Sequence, residues 1–197
     1  SAVFGDWTAN IIEDATIDDL DPDAIRMARE KYTERHERRA KEIESWDDAT
    51  FLNKAKITRA GKITNAAIIL LGREESEHFL SPAVCVIRWK LIAKEDKNKD
   101  FHNFHVPMIK SVEEITTGYI RNNNYVYTVS GNIFPENMMR YDVFTLREPI
   151  CNAIGHQDYG MGARIELLEY EDEKLVIQNY GQFIPNSVED VVEKDCP

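Results

Sequence analysis

The hydrophobic period of this chain changes near residue 83, from helical spacing to strand-like alternation, and that change restricts it to folds that mix helices with a sheet. Upstream, Asp21-Pro22-Asp23 places a capping carboxylate before a proline at the first helical position. A helix is expected from Pro22 to about Glu44, with Ile25, Ala28, Tyr32 and Ala40 among its less polar positions. Asp47-Asp48 opens a second short helix that runs to about Lys54, and Lys56–Ile63 reads as a tight turn. Thr64–Gly72 reads as a mostly buried helix that Gly72 can end. Residues 1–15 are polar and acidic, an irregular lead-in with room for a short strand around Ala9–Ile12.

From Ala83 to Leu91 the residues are β-branched and partly alternating, which predicts a strand, with Phe101–Val106 as its partner across a charged turn at Glu95–Asp100. Pro107 to about Asn122 carries Ile109, Val112, Ile115, Tyr119 and Ile120 on one broad face, an amphipathic helix. Tyr125–Ser130 returns as a strand. His102 and His105, three apart on a strand, would point to opposite faces, which suits packing or surface roles better than a shared metal.

Composition narrows the function classes. The 197 residues are 43% hydrophobic, 30% charged and 10% aromatic, a globular balance with enough apolar mass for one large domain or two small ones. A net charge of −11 repels phosphate backbones, so DNA would be reached only through domains outside this chain. The basic run Arg35–Lys41 is interleaved with Glu34, Glu37, Glu42 and Glu44, which reads as an ion-paired helix face. The short helices around residues 48–72 leave a winged-helix DNA reader as an alternative, against which their acid content argues. Cys85, Cys151 and Cys196 are scattered, form no metal-binding pattern, and read as reduced thiols in a cytoplasmic protein. The longest apolar runs are too short to span a bilayer, so no membrane partner is expected. With no initiator Met and no signal peptide, the chain is expected to be a piece of a longer polypeptide.

The chemistry concentrates in Tyr141–Tyr159. Val143, Leu146, Ile150, Ala153 and Ile154 fall at helical spacing on one apolar face, while Glu148, Asn152 and His156 recur every four residues as a polar stripe. A carboxylate one turn before an amide can hold a divalent ion and its water: the amide oxygen ligates, and the carboxylate orients or deprotonates the water. The plainer reading is the solvent edge of a core helix. Strands at Ala163–Tyr170 and Lys174–Gln178 come next as a half-exposed antiparallel hairpin. Asn179–Pro185 then forms a turn into a short helix at Ser187–Val192.

Glu148-Pro149-Ile150-Cys151-Asn152-Ala153 resembles the N-box of the GHKL ATPases, Glu-x-x-x-Asn-Ala on a helix. Asn179-Tyr180-Gly181-Gln182-Phe183-Ile184-Pro185 resembles their next box, Asp-x-Gly-x-Gly-Ile-Pro, at the end of a strand. The longer phrase is narrower still: Leu146-Arg147-Glu148, then Asn152-Ala153-Ile154, His156-Gln157-Asp158-Tyr159, Arg164-Ile165-Glu166 and Asn179-Tyr180-Gly181. It is similar to the "REALVNALVHRDY…IEI…NPGGLP" signature of transcriptional regulators often labelled RecG-like helicases, which join a Schlafen-type AlbA domain to a GHKL-like domain. Lys62–Gly72 resembles their linking region, "G.LTNAAILLFG".

The resemblance implies an α+β chain: a mixed helix/strand linking module over 15–135, followed over 136–197 by the first part of a GHKL-type (Bergerat) α/β sandwich. It implies ATP and Mg²⁺ as cofactors, with Glu148 as catalytic base or water-polarising residue, Asn152 as the Mg²⁺ ligand, Asn179 accepting the adenine amino hydrogen, and Gly181 letting the backbone approach the base. Asn179 replaces the usual Asp but keeps an acceptor oxygen. Phe183 replaces a glycine, and Pro149 implies a kink or a late helix start. The Gly-rich phosphate lid is expected beyond Pro197, so these residues alone are expected to bind ATP weakly or not at all. The alternative function is a degenerate, non-catalytic module that forms a homodimer or binds another protein. Helicase activity has no Walker-type GxxxxGK[ST] motif behind it.

Overall fold

A computed structural model describes residues 7–95, 97–121, 126–130, 136–137 and 146–180. The chain is α+β and divides into two compact units, Ser1–Ser81 with Val106–Lys110, and Pro82–His105 with Ser111–Cys196. The expected boundary at 135 does not coincide with this division. The strands predicted within 15–135 share one sheet with the hairpin beyond it, because backbone pairing between distant segments groups them.

The first unit is helical. Helix α1 (Pro22–Arg35) starts at Asp21, whose carboxylate accepts from the N–H groups of Asp23 and Ala24, with Pro22 at the first position. It is shorter than expected: His36 leaves helical geometry, a 3₁₀ turn comes at Glu37–Arg39, and α2 covers Ala40–Glu44. Arg29 holds this bend, donating to the carbonyls of Ile43 and Trp46 and to Asp48. Arg39 is paired with Glu42, so this part of the basic run is an ion-paired face. Helix α3 (Asp48–Lys54) begins at Asp47, which accepts from the Thr50 N–H.

The turn before α4 (Asn65–Leu71) has Ala60 and Gly61 at positive φ, closing an Arg59–Lys62 bridge. Gly72 ends α4, but in extended conformation and not the left-handed one. Its hydrogen faces Ile68, where a Cβ would lie 2.6 Å from the carbonyl oxygen. The lead-in holds a 3₁₀ turn at Trp7–Ala9 and an isolated bridge from Ile11 to Thr64 in place of a strand.

The second unit is built on a mixed sheet of order β2-β1-β5-β6-β3-β4. Its strands are β1 (Ile87–Ala93), β2 (Lys97–Phe104), β3 (Val126–Ser130), β4 (Glu136–Asn137), β5 (Ile165–Tyr170) and β6 (Lys174–Gln178). β1 pairs antiparallel with β2 and parallel with β5; β5 and β6 form the expected antiparallel hairpin, and β6 runs parallel to β3. β1 starts four residues later than predicted, and β2 absorbs most of the charged stretch predicted as a turn. An edge strand needs a paired backbone on one side only, so its side chains can stay in water.

Ile87, Trp89 and Leu91 of β1, Ile165 and Leu167 of β5, and Leu175 and Ile177 of β6 are buried, while the residues between them are largely half-exposed. The sheet therefore buries one face. Ile150, Cys151, Ala153 and Ile154 of helix α6 (Arg147–His156) are buried in the same unit. Helix α5 (Met108–Glu114) passes into a π-turn at Ile115–Tyr119, where the side chain of Tyr119 packs on Trp89, His102 and Phe104 with ring centroids 4.8–5.3 Å apart. His102 is a packing residue of this cluster.

Candidate functional site

Helix α6 carries the first two candidate residues. It starts at Arg147, which is tied to Glu113 at 2.7 Å, and Pro149 lies in its first turn, where a missing N–H leaves no helical bond unmade. Pro149 implies a kink or a late start, and the helix begins at Arg147, two residues before it, with residues 141–145 outside the described residues. Glu148 is exposed in that first turn, where the positive end of the helix favours a carboxylate. Asn152 lies one turn later, half-buried, and His156 ends the helix, exposed, where a cation is favoured. The polar stripe, and the apolar face from Leu146 through Ile150, Ala153 and Ile154, lie as the spacing predicts, while Val143 lies outside the described residues.

Asn179 stands directly after β6 and is half-buried. Among the described residues, no hydrogen bond or ion pair is made by the side chains of Glu148, Asn152 and Asn179. Gly181, together with Phe183 and the helix predicted at Ser187–Val192, lies outside the described residues.

The segment after α6 joins these pieces. Gln157 is buried; its Nε2 donates to the Ala163 carbonyl and its Oε1 accepts from the Tyr180 N–H, both at 2.8 Å. The Asp158 N–H donates to the Tyr180 carbonyl, and the Asp158 carboxylate accepts from the Gly160 N–H at 3.0 Å. The Tyr159 hydroxyl reaches back to the Ile154 carbonyl at 2.6 Å. The end of α6 is thereby bonded to the strand end that presents Asn179.

Two features of the unit were not singled out by sequence reasoning. One is Gln157, whose role depends on backbone groups 6 and 23 residues away. The other is Glu169, fully buried on β5, which accepts from the Trp89 indole N–H at 2.9 Å and from the Arg121 backbone N–H at 3.0 Å. The alternation of β5 does carry a signal for it, since Glu169 is in phase with Ile165 and Leu167.

Among the described residues no three or more His, Cys, Asp or Glu converge as a metal site, and no helix is long and apolar enough to cross a membrane. The donor set of α6 fits Mg²⁺ only in its usual enzymatic form, where one or two protein oxygens share the ion with phosphates and water.

Comparison with known proteins gives the fold and little more. A family model described as a domain of unknown function (DUF8451) matches residues 3–87, fewer than half of the chain and none of the candidate residues. No curated protein matches. The crystal structure of the DIP2311 protein from Corynebacterium diphtheriae is similar, with a TM-score of 0.61 at 17% identity, covering 92% of this chain and 34% of that one. At that identity the likeness concerns the fold. The chain spans about a third of the length of that protein.

Proposed function

We propose that this chain is part of a transcriptional regulator and contributes the first part of a GHKL-like module that binds ATP with Mg²⁺. One observation carries the reading: the end of α6, the helix bearing Glu148 and Asn152, is hydrogen-bonded through Gln157 and Asp158 to Tyr180, the residue after Asn179. Two sequence boxes that are 31 positions apart, counted from Glu148 to Asn179, thus belong to one bonded structure. The similarity of the phrase 146–181 to the RecG-like regulators supplies the ligand class.

In this reading Asn152 would hold Mg²⁺ through its amide oxygen, and Glu148, one turn away and exposed, would orient or deprotonate a water beside it. Asn179 accepts the adenine amino hydrogen, and Gly181 gives the base room to approach the backbone. When bound, Mg²⁺ neutralises phosphate charge that the acidic chain would otherwise repel. DNA is reached through other domains, and the module transmits nucleotide occupancy to them.

Asn152→Ala in the longer protein tests the site. The variant is expected to lose its response to ATP and about tenfold or more in MgATP affinity, the worth of one charge-assisted contact. An unchanged response with unchanged affinity removes Asn152 from the site. Absence of nucleotide binding from the wild-type longer protein, with dimerisation indifferent to ATP in sedimentation, turns the function to a non-catalytic dimerisation module.

A further inference from the structure

We infer that Gln157 is a positioning residue of the proposed nucleotide site, setting where Asn179 stands without touching the nucleotide; the inference rests on the ATP-binding reading above. β6 fixes the chain up to Gln178 by pairing with β5 and β3. Beyond it, Tyr180 is held through its N–H by Gln157 Oε1 and through its carbonyl by the Asp158 N–H. Asn179 is the residue between these two anchors. An adenine-reading side chain needs its backbone fixed on both sides, or part of its hydrogen-bond energy is lost to ordering the loop each time a ligand binds.

Only an amide suits position 157. One end must donate, because it faces the Ala163 carbonyl, and the other must accept, because it faces the Tyr180 N–H. Gln157 itself is buried and its two bonds are part-buried, so water reaches its side of each bond less freely than it reaches an exposed amide. Asp158 and Tyr159 complete the bracket, turning the chain at Gly160 and bonding it back to α6.

Two variants separate positioning from mere support. Gln157→Leu removes both bonds at similar volume. Gln157→Glu keeps the acceptor for Tyr180 but sets a carboxylate against the Ala163 carbonyl until it is protonated. Amide hydrogen exchange read by NMR on this chain is expected to show Tyr180 exchanging about tenfold faster in the Leu variant, while the N–H groups of Leu175 and Ile177 in β6 keep wild-type rates. In the longer protein, MgATP affinity is expected to fall about tenfold in the Leu variant. In the Glu variant the ratio of variant to wild-type affinity is expected to rise as pH is lowered.

An unchanged Tyr180 exchange rate overturns the inference. Faster exchange with wild-type MgATP affinity overturns the positioning role and leaves the nucleotide reading standing. A wild-type longer protein that binds no MgATP overturns the nucleotide reading and the positioning role with it, and the exchange result then describes a structural clamp.

Discussion

Replacing Glu169 with alanine is expected to destabilise the second unit more than any single change on the exposed face of its sheet. The carboxylate is fully buried on β5, in register beside Leu91 of β1 and opposite Leu175 of β6. It satisfies the indole N–H of Trp89, itself 1% exposed, and the backbone N–H of Arg121. A hydrogen bond to a charged partner is worth about 1.5–3 kcal/mol, and a buried donor left without one costs roughly 1–3 kcal/mol. Arg121 is exposed, so its N–H can recover water, whereas that of Trp89 cannot. Adding the space that truncation leaves, Glu169→Ala should cost about 3–5 kcal/mol. Glu169→Gln keeps the shape but only one acceptor oxygen, so it should cost about 1–3 kcal/mol. Urea unfolding monitored by far-ultraviolet circular dichroism measures both, and Trp89→Phe closes a double-mutant cycle with Glu169→Ala, which removes the acceptor. The cycle should return a coupling of at least about 0.5 kcal/mol. A Glu169→Ala change within about 0.5 kcal/mol of wild type, or zero coupling to Trp89, would refute the assigned role of this carboxylate.

Gly72→Ala should destabilise the first unit by about 1–3 kcal/mol in chemical denaturation, because its Cβ would meet the Ile68 carbonyl, which is backbone and cannot step aside; a neutral or stabilised variant contradicts this close approach. The Lys110 ammonium contacts Asp21 at 2.9 Å and Asp23 at 3.3 Å. Burial alone would raise Asp21, but Lys110 and the N–H groups of Ala24 and Asp23 outweigh it and hold the carboxyl below its ordinary range. Burial would likewise lower Lys110, but the hydrogen bonds to Asp21 and Asp23 hold it above the ordinary lysine range. The Asp21 contribution to stability is therefore complete above the ordinary aspartate value of about 4 and lost as pH falls through the depressed one. That of Lys110 is complete below about 10.4 and lost as pH rises through the elevated one. Lys110→Met should flatten both limbs of the stability–pH profile, and an unaltered profile would contradict the assignment.

Much of the local structure is legible in the sequence because local chemistry decides it. Asp21 with Pro22, Asp47 and Thr64 each accept from a first-turn N–H, and those caps place three helix starts. The β5–β6 hairpin comes from the alternation of Arg164 and Glu166 with Ile165 and Leu167 ahead of a charged turn, with β6 falling on the predicted residues. Where distant partners decide, local periods mislead. The break at His36 involves no Gly or Pro; Arg29 stabilises it by bonding carbonyls 14 and 17 residues away. β2 begins at Lys97 although its first residues are charged, because the backbone of β1 recruits them at the edge. The parallel pairing of β1 with β5 joins Ile87 to Ile165 and Ile92 to Tyr170, a separation that no local period encodes. At the site, the Glu148–Asn152 stripe is readable from spacing, whereas Gln157 is not, since its meaning lies in Ala163 and Tyr180.

The central claim, that this chain supplies half of a nucleotide site, is tested most directly by calorimetric titration of ATP with Mg²⁺ into these 197 residues and into the chain extended past Pro197 through a Gly-rich segment. Heat of binding is expected from the extended chain, and weak binding or none from the shorter one. Silence from both, in protein that retains cooperative unfolding, would contradict the claim and leave the fold as a scaffold for dimerisation.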